Sequence, residues 1–213
     1  MNTHRTEERM TDNINYLKKI MDFGDDDKFY YLQILARKKD NPDGKSVKTV
    51  KDYYISNEKY FDEHVEQIKE LCDLFNARAY LRLNRRSWEQ VARKMNVYMA
   101  KDVLENKNYP YSRKVFSKAC GRTHCEENAI WIIDLDRDDF HSWGHFENTM
   151  YTIETYIKDL IKKENVLGRK IIGSVETPNG VHILTKPFNR KKFNEVFDNI
   201  DIHDNNPTIL YAP

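Results

Sequence analysis

The chain has 213 residues, 39% of them hydrophobic and 32% charged, with a net charge of +1. That length serves one large domain or two small lobes on a shared core, and the composition excludes a disordered chain and a uniformly basic coat. Three cysteines make no disulfide framework, no apolar run nears the roughly 20 residues that span a bilayer, and Met1–Glu8 lacks a signal peptide's apolar core. The expected setting is therefore reduced and cytoplasmic.

In chain order, residues 1–28 are polar, with a helix predicted over Ile14–Phe23 and a turn at Gly24–Asp27. Phe29–Leu35 is bulky with little polar alternation and is predicted as a buried strand. Asn41-Pro-Asp-Gly44 marks a turn or exposed loop across Lys38–Lys45. Ser56 is the predicted cap of a helix over Asn57–Phe75, whose apolar stripe is Tyr60, Phe61, Val65, Ile68, Leu71, Cys72 and Phe75. Cys72 thus reads as a core thiol. From Ala77 to Leu83 the residues alternate, giving a strand with one packed face and one basic face that carries Arg78, Tyr80 and Arg82. Ser87-Trp-Glu-Gln90 is a capping-box pattern opening a helix to about Glu105. Tyr109-Pro-Tyr111 ends that helical region, and Ser112–Asn128 shows no clear period.

The second half is more regular. Ile130–Leu135 is a predicted strand, and Gly144–Glu164 an amphipathic helix with Phe146, Met150, Ile153, Ile157, Leu160 and Ile161 on one stripe. Lys170–Val175 and Val181–Leu184 are strands around Thr177-Pro-Asn-Gly180, so they are expected to form a hairpin. A short helix over Asn189–Asp198 and a strand over Thr208–Tyr211 complete the pattern. No linker divides the chain cleanly; the loosest joint is expected between Asn106 and Asn128.

The near-zero net charge hides an asymmetry. Asn76–Lys118 holds eleven Lys or Arg against three acids, whereas Glu126–Asp139 holds six acids against one base. A basic band beside an acidic pocket suits a polyanion bound next to a metal site. The acidic stretch contains Trp131-Ile-Ile-Asp134-Leu-Asp136. Two aspartates two apart on a strand leave the same face and resist joint ionisation unless a cation lies between them. Hard carboxylate oxygens suit Mg²⁺ or Mn²⁺, and a two-metal site would activate an attacking oxygen and stabilise a leaving one.

Asn179-Gly-Val-His182 adds a strand histidine after a glycine turn that lets backbone approach a ligand. Lys186, at that strand's end, reads either as a phosphate contact or as a solvated lysine. Asp201, in Asn199-Ile-Asp201-Ile-His203, is placed to be a third carboxylate; read alone it is a turn residue. Arg78, Arg82, Arg85 and Arg86 cluster around Asn84, and guanidinium groups fit phosphate oxygens bidentately. Arg85 and Arg86 also precede a helix N-terminus, a favourable place for an anion. Tyr80, between two arginines, reads as a base-stacking platform or as cover for the sheet edge. Cys120, His124 and Cys125 give three local ligands where zinc normally needs four, so zinc is not expected. His141 and His145 read as surface or helix-start residues.

In order, Asp134-Leu-Asp136, Gly180-Val-His182 and Ile200-Asp201 resemble the three catalytic motifs of the archaeo-eukaryotic primase superfamily, nearest to its primase-polymerase branch with its small phage and mobile-element primases. Asp201–Tyr211 resembles the family's run from the last metal aspartate into a phosphate-contacting strand, and Ala77–Asn84 its strand facing template and nucleotide. The likeness spans about Phe29 to Tyr211. It implies an α+β fold, a two-lobed core with mixed or antiparallel sheet packed by helices, and an RRM-like catalytic lobe. The lobes would cover about 29–118 and 119–213, after an N-terminal helical extension over 1–28.

The implied activity is DNA-directed primase or polymerase chemistry, a two-metal nucleotidyl transfer from NTP or dNTP on single-stranded DNA. Asp134, Asp136 and Asp201 would hold two Mg²⁺ or Mn²⁺ ions. His182, with Gly180, Lys186 and Arg78, would meet the incoming nucleotide, and Tyr80, Arg82, Asn84, Arg85 and Arg86 would meet template. The resemblance further implies a replicative helicase or other replisome protein in trans, and a bacterial host cytoplasm. Two features depart from the family: Gly180 stands where it usually has Ser, and Asn205 and Asn206 stand where an arginine often follows. A metal-dependent nuclease and a non-catalytic nucleic-acid-binding replication protein are the alternative readings.

Overall fold

The computed structural model describes residues 10–38, 40–41, 46–107, 109–126, 129–140, 143–163 and 171–213, with backbone alone at 143 and 160–163. Most of the loop predicted over Lys38–Lys45, His141 and the outer ends of the elements predicted at Glu164 and Lys170 lie outside these residues. The fold is α+β, with two antiparallel sheets packed by several helices. The first sheet joins, in spatial order, β1 (Thr11–Asp12), β9 (Thr208–Ala212), β4 (Arg78–Ser87), β2 (Lys28–Ala36) and β3 (Lys48–Ile55). The second joins β6 (Ile171–Thr177), β7 (Gly180–Thr185), β5 (Trp131–Asp136) and β8 (Asp201–His203). The last strand thus crosses back to the first sheet, so the segment 119–213 is shared between both sheets.

Strand alternation fixes what each face buries. On the first sheet, Tyr30, Leu32 and Ile34 of β2 join Ala79, Leu81 and Leu83 of β4 in one core with α2 (Glu58–Phe75). The opposite face buries Phe29 and Tyr31 under α3 (Trp88–Ala100) and α4 (Val115–Arg122). On the second sheet, Ile133, Leu135, Val181 and Ile183 pack against Phe146, Ile153 and Ile157 of α5 (Trp143–Lys163) and Phe193 of α6 (Arg190–Asn194). Its other face turns toward the first sheet: Ile132, Leu184 and Val175 belong to the same core as Leu81 and Leu210.

Two asparagines bind the sheets together. Asn13 Nδ2 donates to Glu176 O (2.8 Å) in β6 and Ile209 O (3.1 Å) in β9. Asn84 Nδ2 donates to Ile130 O (2.9 Å) and Asp204 O (3.0 Å), while its Oδ1 accepts from Ile130 N (2.6 Å). Asn84 is therefore a buried clamp on the entrance to β5, with its amide engaged by backbone.

Several local expectations shift. The first helix, α1 (Ile14–Lys18), is shorter than its apolar patch, and Ile14 and Leu17 are buried in the main core. The cap of α2 is Asn57, whose extended backbone lets its side chain accept from Tyr60 N; Ser56 stands one residue too early. Ser87 does cap α3, accepting from Gln90 N at 3.1 Å. β4 continues past Leu83 to Ser87, and β3 and the short β1 and β8 have no predicted counterpart.

Candidate active site

β5 lies between β7 and β8, and its register aligns Asp134 with His182 on one side and Asp201 on the other. Directly opposed residues on antiparallel strands share a face, so three chemical groups far apart in sequence form one cross-strand row. Asp136, two residues on, is opposed by Gly180. This row continues the face that carries Ile132 and Leu184. Where the strands lie against the first sheet the face is apolar and buried; where they run past it, Asp134 is half-buried and Asp136 exposed.

Gly180 is there for steric reasons. A Cβ at this position would lie 1.8 Å from Leu135 O and 3.0 Å from Asp136 Cα, both backbone. The serine usual in the resembling family cannot be seated in this register, because the strand, not a flexible side chain, would have to yield.

His182 is held from two sides. Its Nε2 lies 3.3 Å from Asp134 Oδ1 and its Nδ1 lies 2.8 Å from Oγ1 of the buried Thr208 in β9. The two side chains are 12% and 32% exposed, respectively His182 and Asp134. Burial pushes the Asp134 carboxyl upward, but the His182 hydrogen bond and the charges of His182 and His203 outweigh it, leaving the group below its ordinary range. Asp134 is consequently a carboxylate at neutral pH.

The row opens on a cavity of about 310 Å³ between the sheets. Asp134, Asp136, His182 and His203 form one wall, Arg37, Arg78 and Tyr80 the other, and Thr177, Asn179 and Asn206 also line it. The two arginines share one acid. Arg37 Nε and Nη2 donate to Asp40 Oδ2 and Oδ1 (2.8 and 2.9 Å), and Arg78 Nη2 donates to the same Oδ1 at 2.8 Å. Burial raises the Asp40 carboxyl, yet the Arg37 hydrogen bond and the two guanidinium charges hold it below its ordinary value. Burial likewise raises the Tyr80 phenol, against the opposing charges of Arg37 and Arg78, so it stays neutral.

The predicted site residues divide. Asp134, Asp136, His182, Arg78 and Tyr80 meet at the cavity. Asp201 is exposed at the start of β8, aligned with Asp134 but outside the lining. Lys186 follows the far end of β7, four residues from His182 and so about 13 Å away along the strand. Among the described residues no group of three His, Cys, Asp or Glu is placed to hold a metal ion. The hard-oxygen pair Asp134–Asp136 is the donor set that fits a divalent cation; the third carboxylate does not converge with it.

The basic band expected to track template is largely internal. Arg86 is 0% exposed, its Nε donating to Cys120 O (2.7 Å), Nη2 to Asn205 Oδ1 (2.8 Å) and Nη1 to Asn84 O. Burial and the adjacent Arg82 charge push its guanidinium down to about 9. Arg82 Nη1 donates to Asn205 O, so these two arginines fasten the loop between β8 and β9. Arg85 bridges Glu126 (2.5 Å) and Asp22 (2.8 Å). Cys120 sits in the core beneath α3, and Cys125 Sγ donates to Arg85 O at 3.4 Å.

Arg37, His203, Thr177, Asn179 and Asn206 were not anticipated. His203 carried a signal, since it lies two residues from Asp201 and alternation puts both on one face. Arg37 carried none, because its place depends on β2 pairing with β4, which sets Leu35 opposite Arg78. Comparisons with protein-family models, curated proteins and solved structures find no match for this chain.

Proposed function

We propose that the chain is a nucleotidyltransferase of the primase-polymerase kind, joining NTP or dNTP on a single-stranded DNA template in a two-lobed, primase-like core. The observation that carries this reading is the pair Asp134 and His182, opposed across β5 and β7 and set beside Asp136, facing Arg37 and Arg78 across one cavity. Carboxylates on one wall and guanidinium groups on the other match a metal-associated polyphosphate. Asp134 and Asp136 would hold Mg²⁺ or Mn²⁺; Asp201, aligned with Asp134 on β8, lies outside the cavity lining. When bound, that ion supplies charge neutralisation and Lewis acidity at the reacting phosphate.

The chain's own residues do the rest. Arg37 and Arg78, kept in place by Asp40, bind phosphate oxygens. His182, anchored at Nδ1 by Thr208, would turn Nε2 from Asp134 to the same polyphosphate once a bound cation takes up that carboxylate. Tyr80, neutral and aromatic, presents a ring beside them for a base or sugar. The catalytic gain comes from positioning and from charge already in place when the attacking hydroxyl bonds to the α-phosphate, the α–β bond breaks and pyrophosphate leaves.

A hydrolytic reading uses the same cavity, with Thr208 holding the His182 ring at Nδ1 and Nε2 accepting a proton from water in place of its Asp134 contact. The arginine wall favours the transfer reading, since water attack on a diester has no need of two phosphate-binding guanidiniums beyond the scissile group. Incubation with template, Mg²⁺ or Mn²⁺ and labelled nucleotides separates them. Nucleotide-dependent products longer than the input support transfer; metal-dependent shortening of template with no new strand replaces it with the nuclease.

A further inference from the structure

A second cavity, of about 700 Å³, is lined by Gln33, Lys48, Thr49, Asp52, Phe75, Arg113, Lys114 and Ser117, among others. It lies on the same sheet face as the catalytic cavity. β-strand register puts Ile209, Tyr80, Gln33 and Asp52 in one row across β9, β4, β2 and β3. Ile209 and Tyr80 line the first cavity, and Gln33 and Asp52 the second. From Tyr80 to Asp52 is two strand spacings, about 10 Å. Gln33 Nε2 donates to Asp52 Oδ1 (3.1 Å) and Ser117 Oγ to Oδ2 (2.6 Å), so Asp52, the one acid among the described lining residues, is turned inward onto neutral partners.

Among the described lining residues the remaining charge is positive. Lys48, Arg113 and Lys114 are exposed, and among the described residues no carboxylate pairs with them. Phe75, the last residue of α2, is 41% exposed in the same cavity, with Lys48 Nζ 6.0 Å from its ring centre. Lys114 Nζ lies 6.0 Å from the ring centre of Tyr111, itself exposed. Cations interleaved with solvent-facing aromatic rings are what a single strand needs, phosphates on the one and bases on the other. Duplex DNA, with its bases stacked inside, has no use for the rings.

We propose that this second cavity seats the single-stranded template, which reaches the catalytic cavity along the Asp52–Gln33–Tyr80 row. The template path thereby moves from the arginines of β4, which the fold consumes internally, to Lys48, Phe75, Arg113 and Lys114. The inference rests on the template-dependent transfer proposed above, and its test is kept separate from catalysis.

The test is binding of a labelled single-stranded oligodeoxynucleotide by fluorescence anisotropy, without nucleotide, across a salt series. Arg113→Ala/Lys114→Ala is compared with Arg93→Ala/Lys94→Ala, which removes two exposed cations from α3, and with Phe75→Ala. The first double variant should lose affinity by about tenfold or more, its log K against log salt slope falling by about 1.4 for two lost phosphate contacts. Phe75→Ala should lose a comparable factor with the slope unchanged. The α3 control should bind as wild type. Thermal melting confirms each fold, and Mn²⁺-dependent binding of a labelled dNTP should be the same in all. Equal losses in both double variants, or none in either, would overturn the proposal. Selective loss in a protein that synthesises no strand would uphold the groove and sink the transferase reading instead.

Discussion

The two ends of β4 carry the same residue type to opposite ends. At the Ser87 end, Arg86 is wholly buried and spends its donors on Cys120 O, Asn84 O and Asn205, while Arg85 is tied to Asp22 and Glu126. At the other end, Arg78 pairs with Asp40 beside Arg37, and both line the cavity that holds Asp134 and His182. A run of arginines in sequence is therefore not a basic surface. What each contributes depends on where its acceptors place it, Arg86 on carbonyls inside the core and Arg78 on Asp40 at a cavity wall.

That comparison can be broken at either end. The largest expected effect is Arg86→Ala, which strands two buried carbonyls and the half-buried Asn205 amide oxygen and loosens the loop between β8 and β9. It should lower stability by about 4 kcal/mol, or about 12 °C in Tm for a chain of this size. Arg86→Lys should recover little, since one ammonium cannot reach acceptors laid out for a planar fork. Calorimetry or chemical denaturation reads both; an Arg86→Ala protein as stable as wild type would dissolve the contrast.

Asp40→Asn comes next. The Asp40 side chain is only 3% exposed, and its removal leaves two guanidiniums without their shared anion, a loss of about 3 kcal/mol at neutral pH. The sign with pH follows from a carboxyl held below its ordinary value of 3.8. Its contribution is complete above that value and fades as pH falls through the lower, folded-state value. Wild type and variant should accordingly converge in stability toward the acid limit. A difference that stays constant from pH 7 to pH 2 would contradict the Asp40 assignment.

Arg37→Ala should be the mildest on the fold and the most selective. Arg78 still satisfies Asp40, so Tm should move by no more than about 3 °C. The Michaelis constant for nucleotide should rise about tenfold or more from the loss of a charge-assisted phosphate contact. A larger change in Tm than in nucleotide affinity would assign Arg37 to the structural class of Arg86.

Much of this was legible in the residues. The alternation from Ala77 to Leu83, the apolar Trp131–Asp136 strand, the Thr177–Gly180 turn and helices α2 and α5 form; the α2 stripe stops short of Phe75, which is exposed, and the side chains of Leu160 and Ile161 lie outside the described residues. Lys48–Ile55 escaped because Lys, Thr and Asp interrupt its alternation, and it is held as an edge strand by pairing with β2. β8 and β1 escaped because three and two residues carry no period. The motif residues were readable; their alignment in one row was not, since it depends on β8 joining β5 rather than continuing the hairpin. The fate of Arg86 was hidden because Asn205 lies 119 residues away and its other acceptors are backbone carbonyls.

The central claim is that the carboxylate pair on β5 performs nucleotidyl transfer. The most direct measurement is strand synthesis by the full chain on a single-stranded template, with Mg²⁺ or Mn²⁺ and all NTPs and dNTPs, beside Asp134→Asn/Asp136→Asn from the same preparation. Template-dependent product from the wild type, reduced on the order of 10³-fold in a variant that melts normally, is the result expected. Equal product from both proteins, or none from a wild type that binds template tightly, would contradict it.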